Sequence, residues 1–182
     1  MKIDKTFITQ LQNKDRKVQL AFYNYLSPKM YGICLRFANS SDDANDILQE
    51  GFIRVFKHIN DFRGEGSFEG WVRRTVVNTA INYYKKEKKR GYKVDLDHVK
   101  KKHITNAIAI DRLSYNEIIE LIRELPRGYR TVFNLNVMEG YTHKEIGIKL
   151  NISENTSKSQ LSRAKSAIQK KLNEIKNKEN ID

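Results

Sequence analysis

One cysteine, two prolines and a single tryptophan stand in a chain of 182 residues. With Cys34 alone, no internal disulfide and no thiolate zinc cluster can be built. That thiol lies among Ile33, Leu35 and Phe37, a setting for a buried, inert side chain. Only Pro28 and Pro126 interrupt long stretches of 3.6-residue periodicity, and no stretch alternates at period two, so strands are not expected. No apolar run is long enough to span a bilayer and no secretory core opens the chain, so a soluble, cytoplasmic protein without membrane insertion is expected. His58, His98, His103 and His143 are scattered without metal-binding or nucleophilic partners, which speaks against an enzyme and calls for no metal or cofactor. Neither an internal repeat nor a heptad seam is present, and a monomer is expected.

What the chain has in excess is positive charge. Thirty-four Lys and Arg against 22 Asp and Glu give a net charge of +12, favouring a polyanionic partner. Apolar residues gather in two blocks, about 16 to 84 and about 113 to 172, separated by KKEKKRGYKVDLDHVKKKHITNAIAID. The expectation is an all-α fold of two small helical domains joined by a flexible charged linker, the second containing a helix-turn-helix. Boundaries are set at 1–90 for the first domain, 91–112 for the linker, 113–174 for the second domain and 175–182 for a disordered tail.

The charge is unevenly placed. Residues 41 to 69 carry seven acidic and three basic residues, whereas residues 71 to 93 carry eight basic and one acidic. Phosphates would repel the acidic helix, so two partners are an economical account, a protein for the acidic segment and DNA for the basic one. A merely solvated acidic face explains the same charges equally well. Within that segment Ser41 is placed as a helix cap, with Asp42 and Asp43 in the first turn. Ala44, Leu48, Phe52, Val55 and Ile59 form the predicted buried stripe. Asp46, Gln49 and Glu50 share another face, a spacing that suits a docking patch and lacks the partners acid–base chemistry needs.

DFRGEGSF, 61 to 68, places two glycines between Phe62 and Phe68 and cannot continue a helix comfortably. A loop bearing Phe62 and Arg63 ahead of a basic helix suits an unstacked base, held by aromatic stacking and charge. A plain turn returning its phenylalanines to the core is the competing account, and a strong one for Phe68. From Glu69 to Lys89 a helix resumes, its packed side expected at Trp71, Val72, Thr75, Val76, Thr79 and Tyr83. Arg74, Asn78 and Asn82 form a separate polar ladder fit for nucleotide hydrogen bonding, followed by the Lys85–Arg90 cluster for phosphates.

The most telling stretch is EGYTHKEIGIKLNISENTSKSQLSRA, 139 to 164. Thr142 with Glu145 forms a capping box, Ile146 and Leu150 follow at helical spacing, and Ser153 caps a second helix after a short break. In that second helix Leu161, Ala164, Ile168 and Leu172 form an apolar stripe. Asn155, Lys158, Ser159 and Ser162 share another face, the pattern of a helix that enters the major groove.

On these residues the chain resembles the extracytoplasmic-function (ECF) group of the sigma-70 family of bacterial RNA polymerase sigma factors, over roughly residues 16 to 172. DILQEG with Phe52 and Arg54 resembles the family's core-polymerase docking helix, which implies that role for Asp46, Gln49 and Glu50. FRGEGSF is similar to the loop that captures a flipped base of the −10 element, which implies roles for Phe62 and Arg63. WVRRTVVNTAINYY matches the −10-reading helix and implies roles for Arg74, Asn78 and Asn82. LPRGYRTVFNLNVMEGYTHKEIGIKLNISENTSKSQLSRAK resembles the −35-reading domain, where Lys158, Ser159 and Arg163 fall on DNA-contacting positions beside Asn155 and Ser162.

The chain departs from the family at Ser157, where valine is usual and packing would be lost, and at Gln160, where arginine is common. The resemblance implies RNA polymerase core and promoter DNA as partners, and proteins of this group are commonly held by an anti-sigma factor. It implies an alternative sigma factor, not an enzyme, that directs promoter-specific initiation. A stand-alone helix-turn-helix regulator is the rival reading, but it would need a dimerisation element to span two half-sites.

Overall fold

A computed structural model describes residues 3–90 and 115–179, and the stretch 91–112, expected as a linker, lies outside them. Among the described residues eight α-helices run in order: α1 Lys5–Gln12, α2 Arg16–Phe37, α3 Ser41–Lys57, α4 Phe68–Lys89, α5 Tyr115–Arg123, α6 Arg127–Phe133, α7 His143–Leu150 and α8 Glu154–Glu179. A 3-10 turn, Ile59–Asp61, follows α3, a π turn, Asn134–Met138, follows α6, and no strand occurs among the described residues. The chain divides into two compact units, Met1–Tyr84 and Lys85–Asp182. The helical, two-unit architecture is the one the periodicity predicts.

In the first unit each helix start is held by a side-chain cap. Asp4 accepts from the Phe7 amide at 2.9 Å, and Asp15 accepts from the Lys17 and Val18 amides at 2.9 and 3.2 Å. The cap of α3 is Ser40, whose Oγ accepts from the Asp43 amide at 3.0 Å, and not Ser41 as expected. The hydroxyl reaches an amide three residues ahead, and that residue is Asp43 only from position 40.

Phe22 of α2 is fully buried, with the rings of Phe7, Phe52, Phe56 and Phe68 gathered 5.5 to 6.2 Å around it. On α3 the predicted stripe Ala44, Leu48, Phe52 and Val55 is buried, joined by Ile47 and Gly51, and Ile59 is buried from the 3-10 turn. Gly51 lets α3 lie close to α4, since a β-carbon there would stand 3.2 Å from Val76 Cγ2. Beside them Cys34 is inaccessible, and burial pushes its thiol up to about 12, as expected of an inert sulfur.

The buried face of α4 differs from the expected one. Val72, Val76, Val77, Thr79, Ala80 and Ile81 are buried, while Trp71, Thr75 and Tyr83 are half-exposed. A single stripe was predicted, yet α4 meets two helices: α3 at Gly51, and α2 through Phe22–Phe68 and the Lys29–Glu69 ion pair at 3.2 Å. Two neighbours widen the covered arc beyond what one periodic stripe describes.

The second unit buries Ile119, Leu121 and Ile122 of α5, Val132 of α6, Leu135, Ile146 and Leu150, with Leu161 and Ala164 of α8. Of the predicted stripe on α8, Ile168 and Leu172 are only half-buried. The helix runs on to Glu179, past the tail boundary expected at 175, fastened on the way by an ion pair between Lys171 and Glu124.

At the start of α7 the predicted capping box is complete: the Thr142 amide donates to Glu145 Oε2 at 2.8 Å, and the Glu145 amide donates to Thr142 Oγ1 at 3.3 Å. The turn into α8 passes through Asn151, left-handed at φ 54°, with the Ile152 amide bonded back to the Gly147 carbonyl at 3.1 Å. Ser153 then accepts from the Thr156 amide at 3.0 Å, the cap its position predicts. The turn folds over Gly147 so closely that a β-carbon there would meet the Ile152 carbonyl oxygen at 2.9 Å. Gly147→Ala is therefore expected to destabilise the second unit by about 1–3 kcal/mol, as overpacking against backbone does, measured as a lowered denaturation midpoint of the full chain.

Candidate nucleic-acid interface

Three surfaces collect the residues singled out by the sequence. On α3, Asp46, Gln49 and Glu50 are all exposed on the side away from Phe22, because the buried stripe turns them outward together. Glu50 Oε1 accepts from Arg54 Nε at 2.7 Å, an exposed pair one helical turn apart of the kind worth about 0.3–0.5 kcal/mol. Ile53 joins the same face, 60% exposed, four residues after Gln49 and three after Glu50. It escaped notice in the sequence, although an isoleucine off the Leu48–Phe52–Val55 stripe was a usable signal.

The second surface begins at the 62–67 loop. Gly64 and Gly66 both sit at φ +78°, a left-handed conformation that costs a residue with a β-carbon. Phe62 is half-buried, its ring 5.0 Å from Phe68 and 5.9 Å from Trp71, and Phe68 stacks on Trp71 at 5.8 Å and 12°. Phe68 belongs to the core, as its competing account held, whereas Trp71 is only half-buried. Arg63, Arg74 and Asn82 are exposed and Asn78 is half-buried, so the polar ladder of α4 runs from solvent into partial cover and out again. Lys86, Lys88, Lys89 and Arg90 are exposed at the C-terminal end of α4, where the helix dipole favours cations.

The third surface is the front of α8. Asn155, Lys158, Ser159, Ser162 and Arg163 are all exposed, and the opposite side of the same turns buries Ser157, Leu161 and Ala164. Lys158 is paired with Glu154 at 2.7 Å, and that ammonium holds the Glu154 carboxyl below its usual range. Arg163 Nη1 donates to Tyr129 Oη at 3.4 Å. Only the fold brings Tyr129 beside α8, whereas Glu154, four residues before Lys158 on one helix, is legible from the i, i+4 spacing.

The two departures at 157 and 160 are both resolved inward. Ser157 is fully buried and hydrogen-bonded to His143 Nδ1 at 2.9 Å, so the packing expected to be lost is replaced by a polar contact. Gln160 is half-buried with its amide against Gly128, where a β-carbon would stand 3.3 Å from Nε2, and so it leaves the outward set. Among the described residues no group of three or more His, Cys, Asp or Glu could hold a metal ion.

Among the described residues, two helical units, with a basic helix behind an aromatic loop and a helix-turn-helix, form the architecture of a DNA-binding protein. The model of Sigma-70 region 2 matches residues 22–90, and that of Sigma-70, region 4 matches residues 115–168. The ECF RNA polymerase sigma-E factor of Escherichia coli (strain K12) is 26% identical over 180 residues, covering 93% of this chain and 94% of that protein. The RNA polymerase sigma-H factor of Pseudomonas aeruginosa is likewise 26% identical over 180 residues, covering 93% of each.

Two solved structures share the fold. One is the sigma factor RpoE in complex with the anti-sigma factor NepR from Bartonella quintana, with TM-score 0.52, 18% identity and coverage of 82% of this chain and 93% of that one. The other is CnrH in complex with the cytosolic domain of CnrY, with TM-score 0.50, 17% identity and coverage of 93% and 97%. The chain belongs to the ECF group of the sigma-70 family, alternative sigma factors that act in transcription initiation and are not enzymes.

One consequence of the geometry is optical. Trp71 is the sole tryptophan and packs against Phe62. Phe62→Ala is expected to move its fluorescence emission to the red with helicity unchanged, because removing the ring opens the indole to water. Steady-state fluorescence beside far-ultraviolet circular dichroism checks this.

Proposed function

We propose that the chain docks on core RNA polymerase through α3 and carries it to promoters, reading the −10 element with the first unit and the −35 element with α8. Residues 1–90 hold the docking and melting functions, residues 113–174 the −35 function, and 91–112 the tether. Asp46, Gln49 and Glu50, with Ile53 at their side, meet the polymerase. Phe62 and Arg63 hold a flipped −10 base, and Arg74, Asn78 and Asn82 read its neighbours. Asn155, Lys158, Ser159, Ser162 and Arg163 meet the −35 bases and phosphates.

The observation that supports this reading best is the segregation of two unlike exposed faces. One helix shows solvent an acidic and amide patch with an apolar residue, and another shows five uncharged-polar and basic side chains over an apolar back. Phosphates would repel the first and attract the second. Work is shared, since each unit has modest DNA affinity and docking both on one polymerase raises their effective concentration. Duplex opening costs a few kcal/mol per unstacked base, offset by trapping that base in the loop.

The protein acts in the cytoplasm as a monomer outside the polymerase, and no helix among the described residues is long and apolar enough to cross a membrane. An anti-sigma factor is a further partner, supported by the structural neighbour that is a sigma factor in complex with the anti-sigma factor NepR.

Run-off transcription with purified core polymerase on a library of promoter fragments tests the whole reading, and absence of promoter-selective transcripts refutes it. The roles separate by mutation. Gln49→Ala with Glu50→Ala is expected to weaken core association about tenfold or more while both units stay folded, read by sedimentation with core. Lys158→Ala with Arg163→Ala is expected to weaken −35 recognition by about 1–3 kcal/mol per lost base contact, leaving core binding intact, read by gel shifts of the holoenzyme.

A further inference from the structure

Apolar contacts hold α8 against the unit through the buried Leu161 and Ala164, but such contacts are non-directional. Roll matters for reading bases. Side-chain tips lie about 5–6 Å from a helix axis, and a roll of about 10–20° moves them about 1–2 Å, beyond the roughly 0.5 Å that a recognition constellation tolerates. Hydrogen bonds are directional and can fix what apolar packing does not.

We propose that His143 is a positioning residue for −35 recognition, fixing the roll of α8 through its hydrogen bond to Ser157. This rests on the assignment of α8 to the −35 element. The bond joins α7 to α8 at 2.9 Å between Nδ1 and Oγ, with Ser157 fully buried. Ser157 immediately precedes Lys158 and Ser159 but points into the unit while they point out, so any roll that displaced them would also break this bond.

His143 is itself well anchored. It is the first residue of α7, directly after Thr142, which the capping box ties to Glu145. The other end of α7 is fixed to α8 by the tight turn over Gly147. The ring and the turn therefore grip α8 from both ends of one short helix.

The chemistry of the pair suits a permanent lock. A neutral ring with the proton on Nδ1 donates to the serine oxygen, one with the proton on Nε2 accepts from the hydroxyl, and an imidazolium donates. One contact from α6 acts in the same sense, the Tyr129 oxygen accepting from Arg163. None of these residues belongs to the outward DNA set except Arg163.

Holoenzyme reconstituted from the full chain and core polymerase is assayed on promoters with a randomised −35 element, and selectivity is read beside core binding and the unfolding midpoint. His143→Phe and Ser157→Ala each are expected to cut −35 selectivity about tenfold with core binding unchanged, since the partner hydroxyl or ring is left unpaired or absent. His143→Asn places an amide where Nδ1 stands and is expected to recover most of that selectivity.

Unchanged selectivity in both loss variants, even with a lowered midpoint, overturns the proposal, and so does a His143→Asn protein as unselective as His143→Phe. If His143→Phe does not fold, Ser157→Ala decides alone. A wild-type holoenzyme indifferent to the −35 sequence overturns the assignment of α8 itself, a result visible before any variant is made.

Discussion

The carbonyl oxygen of Ile152 lies 2.9 Å from where a β-carbon on residue 147 would stand, so the helix-turn-helix closes as it does because glycine occupies that position. The left-handed Asn151 reverses the chain, and the Ile152 amide joins the Asn151 amide on the Gly147 carbonyl, giving a donor beyond the helix end a backbone partner. From this crossing α8 takes its direction relative to α7. Every outward residue from Asn155 to Arg163 inherits its placement from that one close approach.

The first unit is organised by a different means. Its core is aromatic, with Phe22 ringed by four phenylalanines, and the same cluster continues through Phe68 to Trp71 and Phe62 at the surface. The loop proposed to capture a base is thus rooted in the core by rings at both ends, while Gly64 and Gly66 between them meet no neighbouring atom where a β-carbon would stand. A fixed rim around an uncrowded centre suits the proposed capture of a base without a deep pocket. The acidic face of α3 is built from the same helix that buries Phe52 and Val55, so packing and the proposed docking are two sides of one cylinder.

Polar contacts refine what apolar burial leaves open. Glu154 holds Lys158, Tyr129 meets Arg163 and His143 meets Ser157, and each ties a side chain or the helix beneath it to a particular orientation. The exposed pairs contribute little to stability. In the proposed reading their value lies in preorganisation, which lowers the entropy lost on binding.

Local rules made much of this legible in the amino-acid order. The Thr142–Glu145 box, the Ser153 cap, the α3 stripe and the outward set on α8 follow from hydrogen-bond reach and a 3.6-residue period, which operate within a few residues. The family motifs likewise lie in contiguous stretches and could be recognised in place.

Tertiary structure decided what depends on neighbours distant in the chain. The widened buried arc of α4 arises because two helices cover it, Gln160 turns inward because Gly128 leaves room, and Ser157 is satisfied because a histidine fourteen residues earlier folds over it. No local period encodes such meetings, since they are set by how separate helices pack rather than by how any one of them winds.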